Sequence, residues 1–149
     1  MFSDTVTVFN RYKSRLGDMW YPTVIRGANL LIDKAAIVAK YGAESKDNAI
    51  LNIHYQIVDG QITVDGKHYL PPKEWDRQTN DMLSETITFT GGLDFDFFML
   101  GEYPITDPIA DDDYLDGFYN QINSEYDYVF AITSVAKYSV IPHFEIMGA

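Results

Sequence analysis

Hydrophobic and polar residues alternate along most of the chain, and this pattern predicts short β-strands. The clearest example is residues 126–148, where Tyr128, Phe130 and Ile132 fall on one face and the residues between them on the other. We expect two strands there, joined by a connection at 136–142 that ends in a proline, because proline cannot donate to a strand ladder.

Two more alternating stretches, residues 5–11 and 20–26, predict strands near the start of the chain with a polar turn at 13–18 between them. Residues 29–41 are ambiguous, since their alanines favour a helix whereas their strand-like flanks and the lack of a good N-cap favour two short strands. We expect the strands, followed by a polar loop at 43–48.

Two Asp-Gly pairs at 59–60 and 65–66 bracket a four-residue run. Asp-Gly is a preferred type I′ hairpin turn, because both central residues need a positive φ. The sequence therefore predicts a meander of strands 51–58, 61–64 and 67–70, and then one helical turn at 73–77.

The second half of the chain continues the strand pattern. Residues 86–90 alternate, with Ile87 and Phe89 predicted inward and the three threonines outward. Residues 95–101 are apolar nearly throughout, which indicates a central strand.

An acidic loop is predicted at 104–113, after which Asp113 is placed to cap a short helix. Gly117 weakens this helix by about 1 kcal/mol relative to alanine, so it depends on packing against the sheet. Its predicted apolar face consists of Tyr114, Leu115, Phe118, Tyr119 and Ile122.

Short strands without βαβ alternation predict a mainly β fold. We expect residues 1–149 to form a single antiparallel β-barrel or sandwich with one short helix and a long acidic loop. A length of 149 residues and 46% hydrophobic residues suit one domain with a substantial core.

The formal net charge of −11 argues against nucleic-acid binding over most of the surface, and it fits a basic partner patch or simply a solvated acidic surface. The chain has no cysteine, which excludes disulfides and thiolate metal sites. The first 17 residues lack the apolar core of a signal peptide, and no run approaches a membrane span, so we expect a cytoplasmic protein or one released on a particle.

The densest acidic cluster is the one candidate for a calcium site, because carboxylate oxygens at short spacing suit that ion. It lacks the spaced order of a dedicated loop, and stabilisation of a helix N-terminus explains the negative charge more simply. We therefore expect no metal and no cofactor. The cluster consists of Asp107, Asp111, Asp112, Asp113 and Asp116, with Glu102 nearby.

No catalytic motif is found. His54 and His68 could face each other across the meander, but two histidines without a third ligand are a weak zinc signal, and we expect His54, His68 and His143 to be ordinary histidines on the sheet surface. Trp75 is either an exposed interaction anchor or part of the core at one end of the barrel. We do not expect an enzyme.

Four segments carry a family resemblance: DTVTVFNRY at 4–12, YLPPKEW at 69–75, TFTGG with FFMLGE at 88–102, and YDYVFAITSVAKYSVIPHFEI at 126–146. Together they resemble small head–tail connector proteins, of the neck or head-closure type, from tailed bacteriophages and prophages of Firmicutes. The resemblance covers most of the chain, although each motif is short.

The resemblance implies a non-enzymatic β-barrel that forms a homo-oligomeric ring between the portal or adaptor and the tail, in a virion assembled in the host cytoplasm. It implies no membrane and no sequence-specific nucleic acid, and an acidic face could line the lumen through which DNA passes. Neutralising Asp111, Asp112 and Asp113 should then slow DNA ejection. The insertion at 107–123 departs from simpler members.

Ring subunits need interfaces, and we expect them to use aromatic and acidic side chains. Two other functions remain open: a barrel-type module that binds a protein or carbohydrate, and a hydrolase, for which no converging carboxylates are evident. The candidate interface residues are Trp75, Phe95, Phe98, Glu102, Asp111, Asp112, Asp113, Tyr114 and Phe118.

Overall fold

A computed structural model of the chain describes residues 2–32 and 48–149. The strands in these ranges are β1 Asp4–Ser14, β2 Gly17–Ile32, β3 Ala49–His54, β4 Gln56–Val58, β5 Gln61–Val64, β6 Lys67–Tyr69, β7 Thr86–Ile87, β8 Phe97–Leu100, β9 Ile109–Ala110, β10 Val129–Tyr138 and β11 His143–Gly148. The helices there are α1 Pro72–Asp76, α2 Asn80–Leu83 and α3 Phe118–Glu125.

Six strands form a closed antiparallel barrel. They are ordered β1-β8-β10-β11-β3-β2, and β2 pairs back with β1 to close the ring of strands. The predicted mainly β fold is confirmed, and closure selects the barrel. The predicted short helix corresponds to α3 and the helical turn predicted at 73–77 corresponds to α1, whereas α2 is an additional helix.

The barrel interior is filled by side chains at alternate strand positions. Val6 and Val8 on β1 point inward, as their alternation predicts, and are fully buried. They pack with Phe98, Phe130, Ile132, Phe144 and Ile146 from the strands that follow. Among the described residues, the interior of the barrel is therefore a packed apolar core.

A second sheet, ordered β4-β5-β6-β7, packs its apolar side chains into the same core cluster, where Val64, Ile87 and Phe89 are buried. The predicted hairpin turns are confirmed, since φ is +52° and +79° at Asp59 and Gly60 and the second Asp-Gly pair is similar. The predicted strand 51–58 is instead two strands in different sheets.

Tyr55 marks the break between these two strands. Its backbone N–H donates to the Pro142 carbonyl at 3.3 Å and its hydroxyl donates to the Tyr138 carbonyl at 2.8 Å, so the residue is held by the β10–β11 hairpin. The chain leaves the barrel at this point.

The prediction that the threonines at 86–90 point outward was wrong. Thr86 and Thr88 are buried, and only Thr86–Ile87 forms a strand, parallel to β6. Burial of Thr86 is tolerated because its hydroxyl donates to the Met82 carbonyl at 3.0 Å and also contacts Gln78.

The β10–β11 hairpin has a shorter connection than predicted. β10 continues to Tyr138, which pairs with His143, so the connection is 139–142 and not 136–142. Tyr128 precedes the strand and is exposed, whereas Phe130 and Ile132 are buried as predicted. Of the ambiguous stretch 29–41, residues 29–32 belong to β2, and 33–41 lies outside the described residues, as does most of the loop predicted at 43–48.

Candidate functional site

The predicted acidic loop is divided by regular structure. β9 pairs with β2 through Ile109 opposite Trp20, and a 3-10 turn, Asp111–Asp113, follows at once. This pairing fixes the acidic residues against the outer face of the barrel.

Asp111 holds this segment together. One of its oxygens, Oδ1, accepts the Trp20 indole N–H at 2.9 Å and the backbone N–H of Phe118, the first residue of α3, at 2.8 Å. Asp111 therefore accepts the N-terminal hydrogen bond of α3, and the prediction that Asp113 caps this helix was wrong. Gly117, the residue before α3, has φ +86°, a conformation that favours glycine.

Helix α3 is attached to the barrel by aromatic packing. Phe118 is fully buried against Phe9 and Phe97, whose rings stack with centroids 4.5 Å apart. Ile122 is buried as predicted, but Leu115 is fully exposed because it precedes the helix and does not share its face.

Beside this helix lies a shallow groove of about 380 Å³. The Arg11 guanidinium sits over the rings of Trp20 and Phe95, at 4.6 and 5.0 Å from their centroids. Phe95 in turn meets Tyr119 edge-on at 4.9 Å, and Asp116 also lines the groove. Aromatic and polar groups of this kind can hold a ligand or a partner side chain.

A buried carboxyl, Asp96, lies under this region. It accepts the backbone N–H groups of Arg11 and Thr90 at 2.8 and 2.9 Å and the Asn10 side-chain amide at 2.9 Å. Burial raises the pKa of Asp96 to about 7, against the opposing effect of these hydrogen bonds. Its role is structural, since it joins β1 to the chain that enters β8.

Three loops meet at what we call the acidic end: residues 13–18, 91–94 and 111–117. A Cβ added at Gly17 would lie 2.5 Å from a carboxylate oxygen of Asp112, which shows how closely the β1–β2 turn approaches the 3-10 turn. Lys13 Nζ lies 2.6 Å from Asp94 Oδ1, which joins the second loop to the end of β1.

The fold buries some of the predicted interface residues and places others at the surface. Trp75, Phe98 and Phe118 are fully buried inside the protomer, so in this structure they offer no surface to a partner. Trp75 packs edge-on against Tyr12 and Tyr21, both at 6.0 Å, in agreement with the alternative that placed it in the core.

The other candidates lie at or near the surface. Phe95 and Tyr114 are half-buried, and Asp112 and Asp113 are exposed. Glu102 is exposed and paired with Arg26, with the charged atoms 2.7 Å apart. The acidic end therefore gathers only some of the predicted residues.

His54 and His68 do not face each other. His54 is opposite His143, whereas His68 is opposite Thr63 on β5. Across residues 2–32 and 48–149, no three histidine, aspartate or glutamate side chains lie close enough together to hold a metal ion.

Arg11 and Asp96 were not singled out from the sequence. The signal for Asp96 was present, since it is the one polar residue between Phe95 and Leu100 in an otherwise apolar run. A charge in such a run indicates a buried group with hydrogen-bond partners.

Asp111→Ala is expected to lower the free energy of unfolding by about 1–3 kcal/mol, because the Trp20 indole and the Phe118 backbone N–H both lose their acceptor. Urea denaturation followed by tryptophan fluorescence measures this. Asp113→Ala is the matched control and should change stability by less than about 0.5 kcal/mol, since that side chain is exposed. Equal effects of the two substitutions would contradict the role given to Asp111.

No helix within the described part of the chain is long and apolar enough to cross a membrane.

Comparison with known proteins gives one match. Neither the curated proteins nor the solved structures contain a match to the chain. One family model matches residues 1–149, described as a family of unknown function (DUF6751). Because the match spans the whole chain, the protein belongs to this family.

Proposed function

We propose that the protein is a non-enzymatic structural component of the head–tail connector of a tailed bacteriophage or prophage, forming a ring between the portal or adaptor and the tail. The observation that carries the proposal is the sequence resemblance in four short segments, which are distributed between residues 4 and 146. A rigid barrel with elaborated loops supports it.

Three of the four resembling segments lie on the barrel. The first lies on β1, the third contains β8, and the last covers β10 and most of β11, which are four strands in direct succession. The second lies at the end of β6 and on α1, outside the barrel. The likeness therefore concerns the scaffold of the protein, whose closed strand order leaves the end loops free to meet other subunits.

A ring also needs two different contact surfaces on each subunit, because its interfaces are heterologous. Exposed apolar side chains occur in two separate places that suit this requirement. Ile57 and Val58 are 65% and 48% exposed on β4, and Leu31 is 53% exposed on β2. Each stable interface should bury on the order of 800 Å² per partner.

The proposal is tested in particles of the phage or prophage that encodes the chain. Mass spectrometry of purified virions should find the protein in a fixed, small ratio to the portal, and its deletion should leave heads and tails that do not join. Complete, infectious particles without the protein would contradict the proposal.

A second function, a barrel-type module that binds a protein or carbohydrate, is favoured by the groove beside α3. Phe95 and Tyr119 are half-buried there, and aromatic rings with nearby polar groups suit sugar binding. A glycan array distinguishes the two functions: binding that Tyr119→Ala abolishes would support the module, and the connector proposal expects no binding.

A further inference from the structure

Three leucines at the acidic end are almost completely exposed. Leu16 is 95% exposed, Leu93 is 93% exposed and Leu115 is 100% exposed. A single exposed leucine is ordinary on a protein surface. Three on separate loops at one end need an explanation, because such groups usually mark an interaction surface.

Side-chain contacts bring the three loops together. Leu16 is next to Gly17, which adjoins the Asp112 carboxylate, and Leu115 follows the same 3-10 turn by two residues. Leu93 is next to Asp94, whose carboxylate pairs with Lys13 near the end of β1. Leu16 therefore lies at the tip of the β1–β2 hairpin, and the loops that carry Leu93 and Leu115 both contact this hairpin.

Charge restricts what can cover them. The three loops carry six aspartates against one lysine and one arginine, a formal net charge of −4. Nucleic acid, an anionic membrane and the same end of a second copy all have the same sign and would be repelled. A positively charged protein surface is the complementary partner.

We infer that the acidic end docks on a protein whose face has apolar depressions surrounded by lysine or arginine, and that Leu16, Leu93 and Leu115 fill those depressions. The identity of that protein rests on the proposed function: it is the neighbouring connector component, the portal or its adaptor. This assigns the acidic end to a protein contact and not to the lumen of the ring.

A contact of this kind predicts two properties of binding. Each leucine that passes from water into an apolar depression should strengthen binding by about tenfold. The surrounding aspartates should speed association and make the affinity fall with salt, because exposed charges are screened within about 10 Å at 0.1 M salt.

The test uses the full chain and, as probes, the purified portal and adaptor encoded with it. The triple variant Leu16→Ser, Leu93→Ser, Leu115→Ser is compared with Val140→Ser, whose side chain is 96% exposed in the β10–β11 turn. Titration calorimetry at low and high salt gives each Kd, and thermal melts confirm that both variants fold.

We expect the triple variant to bind at least about 100-fold more weakly, Val140→Ser to bind within about twofold of wild type, and wild-type affinity to fall as salt rises. Undiminished binding by the triple variant would overturn the inference and leave the proposed function standing. No binding of either probe by the wild type would overturn the proposed function together with it.

Sedimentation with lipid vesicles tests whether the three leucines bind a membrane and not a protein. Neither anionic phosphatidylglycerol nor zwitterionic phosphatidylcholine vesicles should carry the protein down. Vesicle binding that the triple variant loses would overturn the inference in favour of a lipid surface.

Discussion

Asp96→Ala should lower the free energy of unfolding by about 3–5 kcal/mol, because three donors buried around the carboxyl lose their acceptor together. These donors are the backbone N–H groups of Arg11 and Thr90 and the Asn10 amide. Loss of the carboxyl separates β1 from the chain that enters β8, so the closed barrel itself is weakened.

Urea denaturation at about pH 4, where the contribution of the protonated carboxyl is greatest, measures this effect. Asp94→Ala is the matched control, since its carboxylate lies two residues away but is half-exposed and pairs with Lys13 at the surface; it should cost less than about 1 kcal/mol. A loss below about 1 kcal/mol for Asp96→Ala would contradict the structural role of the buried carboxyl.

The same carboxyl gives a pH dependence of known sign. Because burial raises the pKa of Asp96 from 3.8 to about 7, the folded state binds more protons than the unfolded state between these values. The stability contributed by Asp96 is therefore greatest below about pH 4 and is lost as the pH rises toward 7, with a slope of up to about 1.4 kcal/mol per pH unit. Asp96→Asn should remove this slope.

Phe97→Ala alone should cost about 3–5 kcal/mol, as expected for removing a fully buried aromatic ring. Phe97 stacks on Phe9 and meets Trp20 and Tyr119 edge-on, both at 4.9 Å. Its ring lies between the barrel wall and α3, so the helix should loosen as well.

Denaturation followed by tryptophan fluorescence reports on this site directly, because Trp20 is one of the neighbours. Phe97→Leu keeps most of the volume and should cost less than about 1.5 kcal/mol. If Phe97→Ala and Phe97→Leu lowered the free energy of unfolding by equally small amounts, this result would contradict the packing of α3 against the barrel through Phe97.

The strands of the barrel could be predicted from the sequence because each depends on local alternation. Val6, Val8, Phe130 and Ile132 point inward as their spacing requires, and the Asp-Gly turns form where predicted. The order of the strands in the closed barrel could not be predicted, since it depends on β8 fitting between β1 and β10, which lie far apart in the chain. The break at Tyr55 is likewise imposed by the distant hairpin.

The candidate site was less predictable for the same reason. Three consecutive aspartates are equivalent in the sequence, and Asp111 is distinguished only by Trp20, which lies 91 positions away. Periodicity placed Leu115 on a buried face, but the helix begins three residues later, at Phe118. Exposure of the three leucines is a property of the folded loops.

We propose that the chain is a ring-forming connector component, and the oligomeric mass of the purified protein, alone and mixed with the portal and adaptor encoded with it, tests this proposal. Light scattering after gel filtration measures the mass. We expect a ring, or a stable complex of defined mass with the adaptor. A monomer that ignores both partners would contradict it.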